Sequence, residues 1–244
     1  MSRYWLTAKE DPDKDAKIAD ICQIYEQAPV LATQGERVIS TDEMTGVQAL
    51  QRAFPDLPVT VGKVQRREFE YMRHGTLCFI VNFDVATGQV IAPTCGQRRT
   101  EADFLAHIER TVATDVRARR WHFVVDNLNI HLSESLVRYV AQVSGRKEDL
   151  GVLGTSGILA NKASRAAFLS EASHKIVFHY TPKHCSWLNQ IEIWFSILVR
   201  KVIRRGSFCS TQDLQEKVLA FIAYFNETMA KPFRWTYSGK PLVI

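Results

Sequence analysis

The sequence predicts an α/β fold in which a mixed five-stranded sheet is flanked by helices. Short runs rich in β-branched and aromatic residues alternate with longer segments whose apolar residues recur at helical spacing. Two of the short runs end in an aspartate, Asp42 and Asp126. Other short runs follow one another with only turn signals between them, which predicts an antiparallel meander.

Local signals place the elements along the chain. Thr100 is a good N-cap for a helix, a capping segment at Thr211 opens the last helix, and His74 and Gly75 predict a turn inside the meander. In chain order we predict a helix over 13–27, strands over 37–42, 63–75, 76–88 and 89–92, a helix over 101–118, a strand over 121–126, a helix over 134–143, a strand over 175–181, and helices over 187–203 and 211–228.

The order of these elements suggests one main domain. Residues 1–35 are polar and are predicted to be a lead-in or linker with a helix, and residues 36–244 form the domain. Residues 145–173 are rich in Gly, Ser and charge, and are predicted to be an insertion before the last strand. A strand, a meander, a helix, a strand, a helix, an insertion, a strand and a helix in this order are the ribonuclease H-like arrangement.

Composition excludes several classes of protein. The chain has 244 residues, of which 46% are hydrophobic, so it can bury a substantial core. Its five cysteines include no Cys-x-x-Cys pair, which argues against a disulfide framework and a structural zinc site. A zinc site made of His174, His179, His184 and Cys185 would fit no strong ligand spacing. Without a signal peptide or membrane span, the sequence predicts a cytoplasmic protein with no membrane partner.

A glutamate interrupts an apolar helix near the carboxyl end. Glu192 falls on the flank of the apolar stripe and not on its solvated side, so it is a candidate metal ligand or catalytic acid. The alternative is a boundary glutamate that reaches water. Similarly, Asp42 and Asp126 either supply carboxylates at the ends of strands or serve as turn and cap residues. The residues of the stripe are Trp187, Leu188, Ile191, Trp194, Phe195, Leu198, Val199 and Val202.

Basic residues surround this glutamate. The net charge is +5, and Glu192 is the only acid between positions 183 and 205. Clustered basic side chains beside acids suit a phosphodiester substrate, because the basic groups bind its phosphates. The alternative is that these Lys and Arg residues lie at a solvated helix end and complement the helix dipole. The candidate DNA-binding residues are Lys183, His184, Arg200, Lys201, Arg204 and Arg205.

Three sequence blocks carry a specific resemblance. Residues 41–50, 125–131 and 180–195 resemble the three motif blocks of the DDE transposase domain of the IS630 family, in the Tc1/mariner superfamily. The resemblance implies that Asp42, Asp126 and Glu192 form a catalytic triad that binds two Mg²⁺ or Mn²⁺ ions. It also makes Glu43 a neighbour that points to the other face of the strand. Candidate accessory residues are Asn127, His131 and Asn189. His131 and His184 are expected to approach the site as groups that handle phosphate or protons, and the alternative for each is a purely structural role.

Two features depart from the family pattern. Asp126 and Glu192 lie 66 residues apart, farther than is common in the superfamily, and the insertion accounts for the difference. Such transposases usually carry N-terminal helix-turn-helix domains, and the chain begins about 40 residues before Asp42. We therefore expect the part that reads specific DNA sequences to be missing.

The function implied by the resemblance is metal-dependent DNA cleavage followed by strand transfer of an insertion sequence. DNA is then the partner, with a homodimer expected on the DNA and a bacterial, nucleoid-associated location. Two alternatives remain: a ribonuclease H-like nuclease without strand transfer, and a non-catalytic DNA-binding remnant that regulates a transposase.

Overall fold

Five strands form one mixed sheet with helices around it in the computed structural model, which describes residues 11–237. The elements in chain order are α1 (Lys14–Thr33), β1 (Glu36–Arg52), β2 (Tyr71–Asp84), β3 (Val90–Gly96), α2 (Glu101–Ala113), β4 (Arg120–Val125), α3 (Glu134–Val143), α4 (Lys162–Leu169), β5 (Ile176–Tyr180), α5 (Ile191–Leu198) and α6 (Thr211–Thr228). The strands lie side by side in the order β3-β2-β1-β4-β5. The predicted mixed five-stranded α/β fold is confirmed.

The sheet changes from parallel to antiparallel at its central strand. β1 pairs in parallel with β4 over Glu36–Ser40, and β4 pairs in parallel with β5. Beyond Ser40, β1 continues only alongside the antiparallel β2, where Asp42 lies opposite Val81. The prediction that the strand ends at Asp42 is therefore wrong, because the β2 ladder carries β1 on to Arg52. Asp42 instead lies just past the last parallel pair, at the same edge where β4 ends.

The predicted turn at His74 and Gly75 is also wrong. β2 runs unbroken through both residues, and the connection from β1 to β2 is the segment 53–70. Gly75 has a φ of +113°, which glycine adopts without strain, and the β1–β2 register shifts nearby between Gln48 and Leu50. The glycine therefore marks an irregular position within a strand. β3 is also longer than predicted and reaches Gly96.

Several helix boundaries differ from the prediction. α1 continues through Pro29 to Thr33, and α2 ends at Ala113, five residues early. Thr100 caps α2 as predicted: its side chain accepts a hydrogen bond from the Asp103 N–H in a capping box. α3 has the predicted bounds.

The apolar stripe around Glu192 is shorter than the sequence suggests. Residues 186–188 form a 3₁₀ turn, and α5 begins only at Ile191. Trp187 is therefore 51% exposed, whereas Trp194 is fully buried. Val199 is also exposed, because the helix gives way to a π-helical turn over 199–203. At the start of α6 the cap is Ser210, whose side chain accepts a hydrogen bond from the Asp213 N–H.

Helices cover both faces of the sheet. One core cluster packs α2, α3 and α4 against β4 and β5, and another packs α5 and α6 against β1 and β2. α1 packs against Val38, Val124 and Leu188 in a third cluster. The insertion contributes Phe168 and Leu169 to the first cluster, so its helix is part of the main core. None of the helices in residues 11–237 combines the length and apolar character that a membrane crossing requires.

Candidate active site

Asp42 occupies a largely enclosed position on β1. The backbone N–H of Glu43 donates to its Oδ1 at 2.8 Å, and the side-chain amide of Asn189 approaches its Oδ2 at 3.5 Å. Burial raises the pKa of Asp42 from 3.8 to about 7, and the negative charges of Asp126 and Glu43 add to that rise. The carboxyl is therefore costly to ionise in the absence of a cation.

Asp126 directly follows β4, which ends at Val125, one residue before the predicted end of the strand. Its Oδ1 accepts a hydrogen bond from the Leu128 N–H at 2.9 Å and lies 2.9 Å from Nδ1 of His131. Burial alone would raise the pKa of Asp126, but the hydrogen bond and charge of His131 bring it below the usual value. Asp126 is therefore held as a carboxylate.

Glu192 is the second residue of α5 and is half-buried, as expected for the flank of the stripe. Its carboxylate has no hydrogen bond or ion pair with any residue of the described range 11–237, including the exposed Arg200. Burial, followed by the negative charge of Asp126, raises the pKa of Glu192. Within the described residues, no basic side chain therefore neutralises this half-buried carboxylate.

Asp126 is electrostatically coupled to each of the other two candidate acids. Its negative charge raises the pKa of both Asp42 and Glu192. Within residues 11–237, however, no three His, Cys, Asp or Glu side chains are already placed to hold a metal ion. Asp126 therefore repels each of the other two acids, although the three do not form a closed metal-binding cluster. Their oxygens are the ligands that Mg²⁺ and Mn²⁺ prefer, so the donor set fits such ions.

A buried ionic chain behind Asp126 was not predicted from the sequence. His131 Nε2 lies 2.8 Å from Oε1 of Glu43, and Arg99 binds the other oxygen of that glutamate at 3.1 Å. The side chains of His131 and Glu43 are both fully buried. Glu43 is therefore more than a neighbour of Asp42. The sequence offers no signal for Arg99, which lies in the loop before α2.

The predicted accessory asparagines hold the backbone around the acids. Asn189 is fully buried, accepts a hydrogen bond from the Ser40 hydroxyl, and donates to the Thr41 carbonyl at 2.9 Å. It thereby ties the start of α5 to β1 beside Asp42. The side-chain amide of Asn127 donates to the Thr181 carbonyl, which links the end of β4 to the segment after β5.

The predicted DNA-binding residues fall into separate places. Lys183 and His184 are exposed and line a cavity of about 270 Å³ together with Asp126 and Asn127. Arg204 instead lines a cavity beside the far end of β1. The remaining candidates, Arg200, Lys201 and Arg205, are exposed on and after the π-helical turn.

The alternative zinc site is not formed. His179 bonds to Asp20 at 2.7 Å and contacts His122 at 3.1 Å, whereas His174 is buried near Glu171. His174 and His179 therefore contact different residues, and residues 11–237 contain no group of three His, Cys, Asp or Glu side chains placed to hold a metal ion.

Comparisons with known proteins agree with this architecture. The family model described as DDE superfamily endonuclease matches residues 37–215. The strand transfer complex of Mos1 matches with a TM-score of 0.51 and 11% identity over 91% of this chain. A pre-cleavage Mos1 transpososome matches with a TM-score of 0.52 and 10% identity, also over 91% of this chain.

The chain spans 58% and 59% of the two Mos1 chains. At 10–11% identity the likeness concerns the fold, which is the ribonuclease H-like arrangement expected from the order of elements. No curated protein matches the sequence significantly.

Proposed function

Because the chain belongs to the DDE superfamily endonuclease family, we propose that it is the catalytic domain of a transposase. It cleaves DNA with divalent cations held by Asp42, Asp126 and Glu192, and then joins the freed 3′ end to target DNA. The domain extends over residues 36–244, with residues 1–35 as its lead-in. The IS630 family remains the proposed subgroup.

The observation that supports this proposal is that the charge of Asp126 acts on two acids from other elements, Asp42 and Glu192. Asp42 comes from β1, Asp126 from the end of β4, and Glu192 from α5. The charge of Asp126 acts on both of the others, and Glu192 has no cationic partner in the described residues. Such an arrangement is costly for the fold and is relieved by a bound cation.

Two bound Mg²⁺ or Mn²⁺ ions would supply activation of the attacking oxygen and stabilisation of the leaving oxygen in an in-line displacement at phosphorus. The protein residues have simpler roles. Asp126 is kept ionised by His131, and Asn189 fixes the backbone of β1 at Thr41. Lys183 and His184, which share the cavity with Asp126, contact the DNA phosphates.

The proposed partner is DNA, which the exposed basic residues bind through its phosphates. Binding is weak and indifferent to sequence, because contacts to the backbone position the DNA without reading its bases. A homodimer on DNA is part of this proposal, and light scattering with and without a DNA duplex tests it.

Nicking of supercoiled plasmid in Mg²⁺ or Mn²⁺ tests the proposal. The wild-type protein should convert the plasmid to the open circle, and Glu192→Gln should not, although it keeps its fold by circular dichroism. Glu109→Gln, an exposed glutamate on α2, is the matched control and should nick like the wild type. Equal nicking by Glu192→Gln and the wild type would exclude Glu192 from the site.

A second assay separates the alternatives. A labelled duplex with a free 3′-hydroxyl is incubated with plasmid, and joined products report strand transfer. Nicking without joined products indicates a nuclease. Metal-independent DNA binding without cleavage indicates a regulatory remnant.

A further inference from the structure

We propose that His131 is a positioning residue that orients Asp126, and that Glu43 and Arg99 act on the same carboxylate through it. This inference rests on the proposed function, since it concerns how the candidate metal site is held. It assigns a role to Arg99, which the sequence pattern does not single out, and to Glu43, which the sequence marks only as a neighbour of Asp42.

The contacts of His131 leave little freedom to either partner. Nδ1 lies 2.9 Å from Oδ1 of Asp126 and 3.0 Å from its carbonyl oxygen, and Nε2 lies 2.8 Å from Oε1 of Glu43. The atoms around both nitrogens are acceptors, so each nitrogen donates and the ring carries a positive charge. Glu43 and Asp126 are thereby joined by one rigid imidazolium.

His131 turns one particular oxygen of Asp126 outward. The Leu128 N–H donates a hydrogen bond to Oδ1, and Nδ1 of the His131 ring lies 2.9 Å from the same oxygen. Among residues 11–237, Oδ2 accepts no hydrogen bond, and it is left available to a cation. A carboxylate held on one oxygen and free on the other is pre-oriented, as metal ligands with fixed outer partners are.

Burial excludes a direct role in the reaction. The His131 side chain is fully enclosed, and its ring packs on Phe104 with 4.3 Å between ring centroids. DNA phosphates therefore cannot reach the ring. The expectation that His131 approaches the DNA as a phosphate or proton-handling group gives way to a positioning role, unlike that of the exposed His184.

Glu43 and Arg99 anchor the ring from behind. Arg99 binds Oε2 of Glu43 at 3.1 Å while His131 contacts Oε1, so both oxygens of this buried carboxylate are occupied. Glu43 also donates its backbone N–H to Asp42. One residue of β1 therefore touches one acid directly and holds a second acid through His131.

Mn²⁺ binding measured by titration calorimetry without DNA tests the proposal. His131→Gln should weaken Mn²⁺ affinity about 10- to 100-fold, the usual effect of losing an outer partner of a metal ligand. In an Asp126→Asn background, His131→Gln should weaken Mn²⁺ affinity less than about twofold, because the carboxylate that His131 orients is already absent. Glu43→Gln should also weaken Mn²⁺ affinity. The double variant with His131→Gln should bind Mn²⁺ about as weakly as His131→Gln alone.

His174→Gln is the matched control, because His174 is equally buried and lies among different residues. It should lower the melting temperature without changing Mn²⁺ affinity. If His131→Gln does the same, the proposal is overturned and His131 only packs. Tighter Mn²⁺ binding by His131→Gln would also overturn it, since the ring would then act solely as a positive charge. If His131→Gln does not fold, Glu43→Gln carries the test.

The controls separate this proposal from the proposed function. A wild-type protein that binds no Mn²⁺ and nicks no plasmid overturns both. A wild-type protein that binds and nicks, beside a His131→Gln variant with unchanged affinity, overturns only the positioning role.

Discussion

Replacing Asp42 by asparagine should stabilise the metal-free protein in a pH-dependent way. Burial and the nearby charges raise the pKa of this carboxyl from 3.8 to about 7 in the fold. For a group whose pKa is raised on folding, the stability it contributes is fully present below pH 3.8 and is lost as the pH rises through about 7. Asparagine is neutral throughout and escapes that loss.

The magnitude follows from the width of that pH window. For each pH unit in which the Asp42 carboxyl is ionised in the unfolded chain but protonated in the folded protein, the free energy of unfolding falls by about 1.4 kcal/mol. Between 3.8 and about 7 this amounts to about 4 kcal/mol, so Asp42→Asn should be about 4 kcal/mol more stable at about pH 8. At about pH 5 the gain should be only about 2 kcal/mol, and below pH 3.8 it should vanish.

Urea unfolding in EDTA at several pH values measures this gain. Mn²⁺ at about 100 times its Kd should raise the free energy of unfolding of the wild type by about 2.7 kcal/mol and that of Asp42→Asn only slightly. The difference in stability between the two proteins should therefore become smaller. Glu109→Gln is the control and should change stability by less than about 0.5 kcal/mol at every pH. A gain for Asp42→Asn that does not depend on pH, or no gain at about pH 8, would refute the reasoning that the acids are crowded and partly desolvated.

Three further predictions concern other parts of the molecule. Burial lowers the pKa of His107 from 6.5 to about 3, so this histidine makes the fold less stable as the pH falls below 6.5. Between about pH 7.5 and 5 the wild type should therefore lose about 2 kcal/mol of unfolding free energy that His107→Gln does not lose, as measured by urea unfolding. Gly88→Ala should destabilise the fold by at least about 1 kcal/mol more than Gly145→Ala, because both have positive φ but only the first places a Cβ 2.0 Å from the Lys231 backbone. Lys183→Ala should weaken DNA binding and reduce the slope of log K against log salt by about 0.9, and an unchanged slope would show that Lys183 contacts no phosphate.

The fold was largely predictable because its signals are local. The Thr100 cap, the β-branched run before Asp126 and the apolar spacing of α6 each depend on residues close in sequence. The His74 and Gly75 turn failed for the opposite reason. Whether a glycine ends a strand or bends it depends on the partner strand, and here β1 keeps pairing past it.

The candidate site was predictable only in part. Asp126 and Glu192 could be located from a strand end and a helix flank, because these positions are set by local periodicity. The contacts of Glu43 with Arg99 and with His131 join residues 56 and 88 positions apart in sequence. No local pattern encodes such pairs, since they form only when β1, the loop before α2 and the turn after β4 come together.

The most direct test of the central claim, that these acids bind the catalytic cations, is plasmid nicking by Asp126→Cys in two metals. Thiolate is a poor ligand for Mg²⁺ and a more acceptable one for softer ions. We predict that the variant loses nicking in Mg²⁺ and recovers part of it in Mn²⁺, while Glu109→Cys nicks like the wild type in both. Nicking by Asp126→Cys that equals the wild type in Mg²⁺ would contradict metal binding by Asp126.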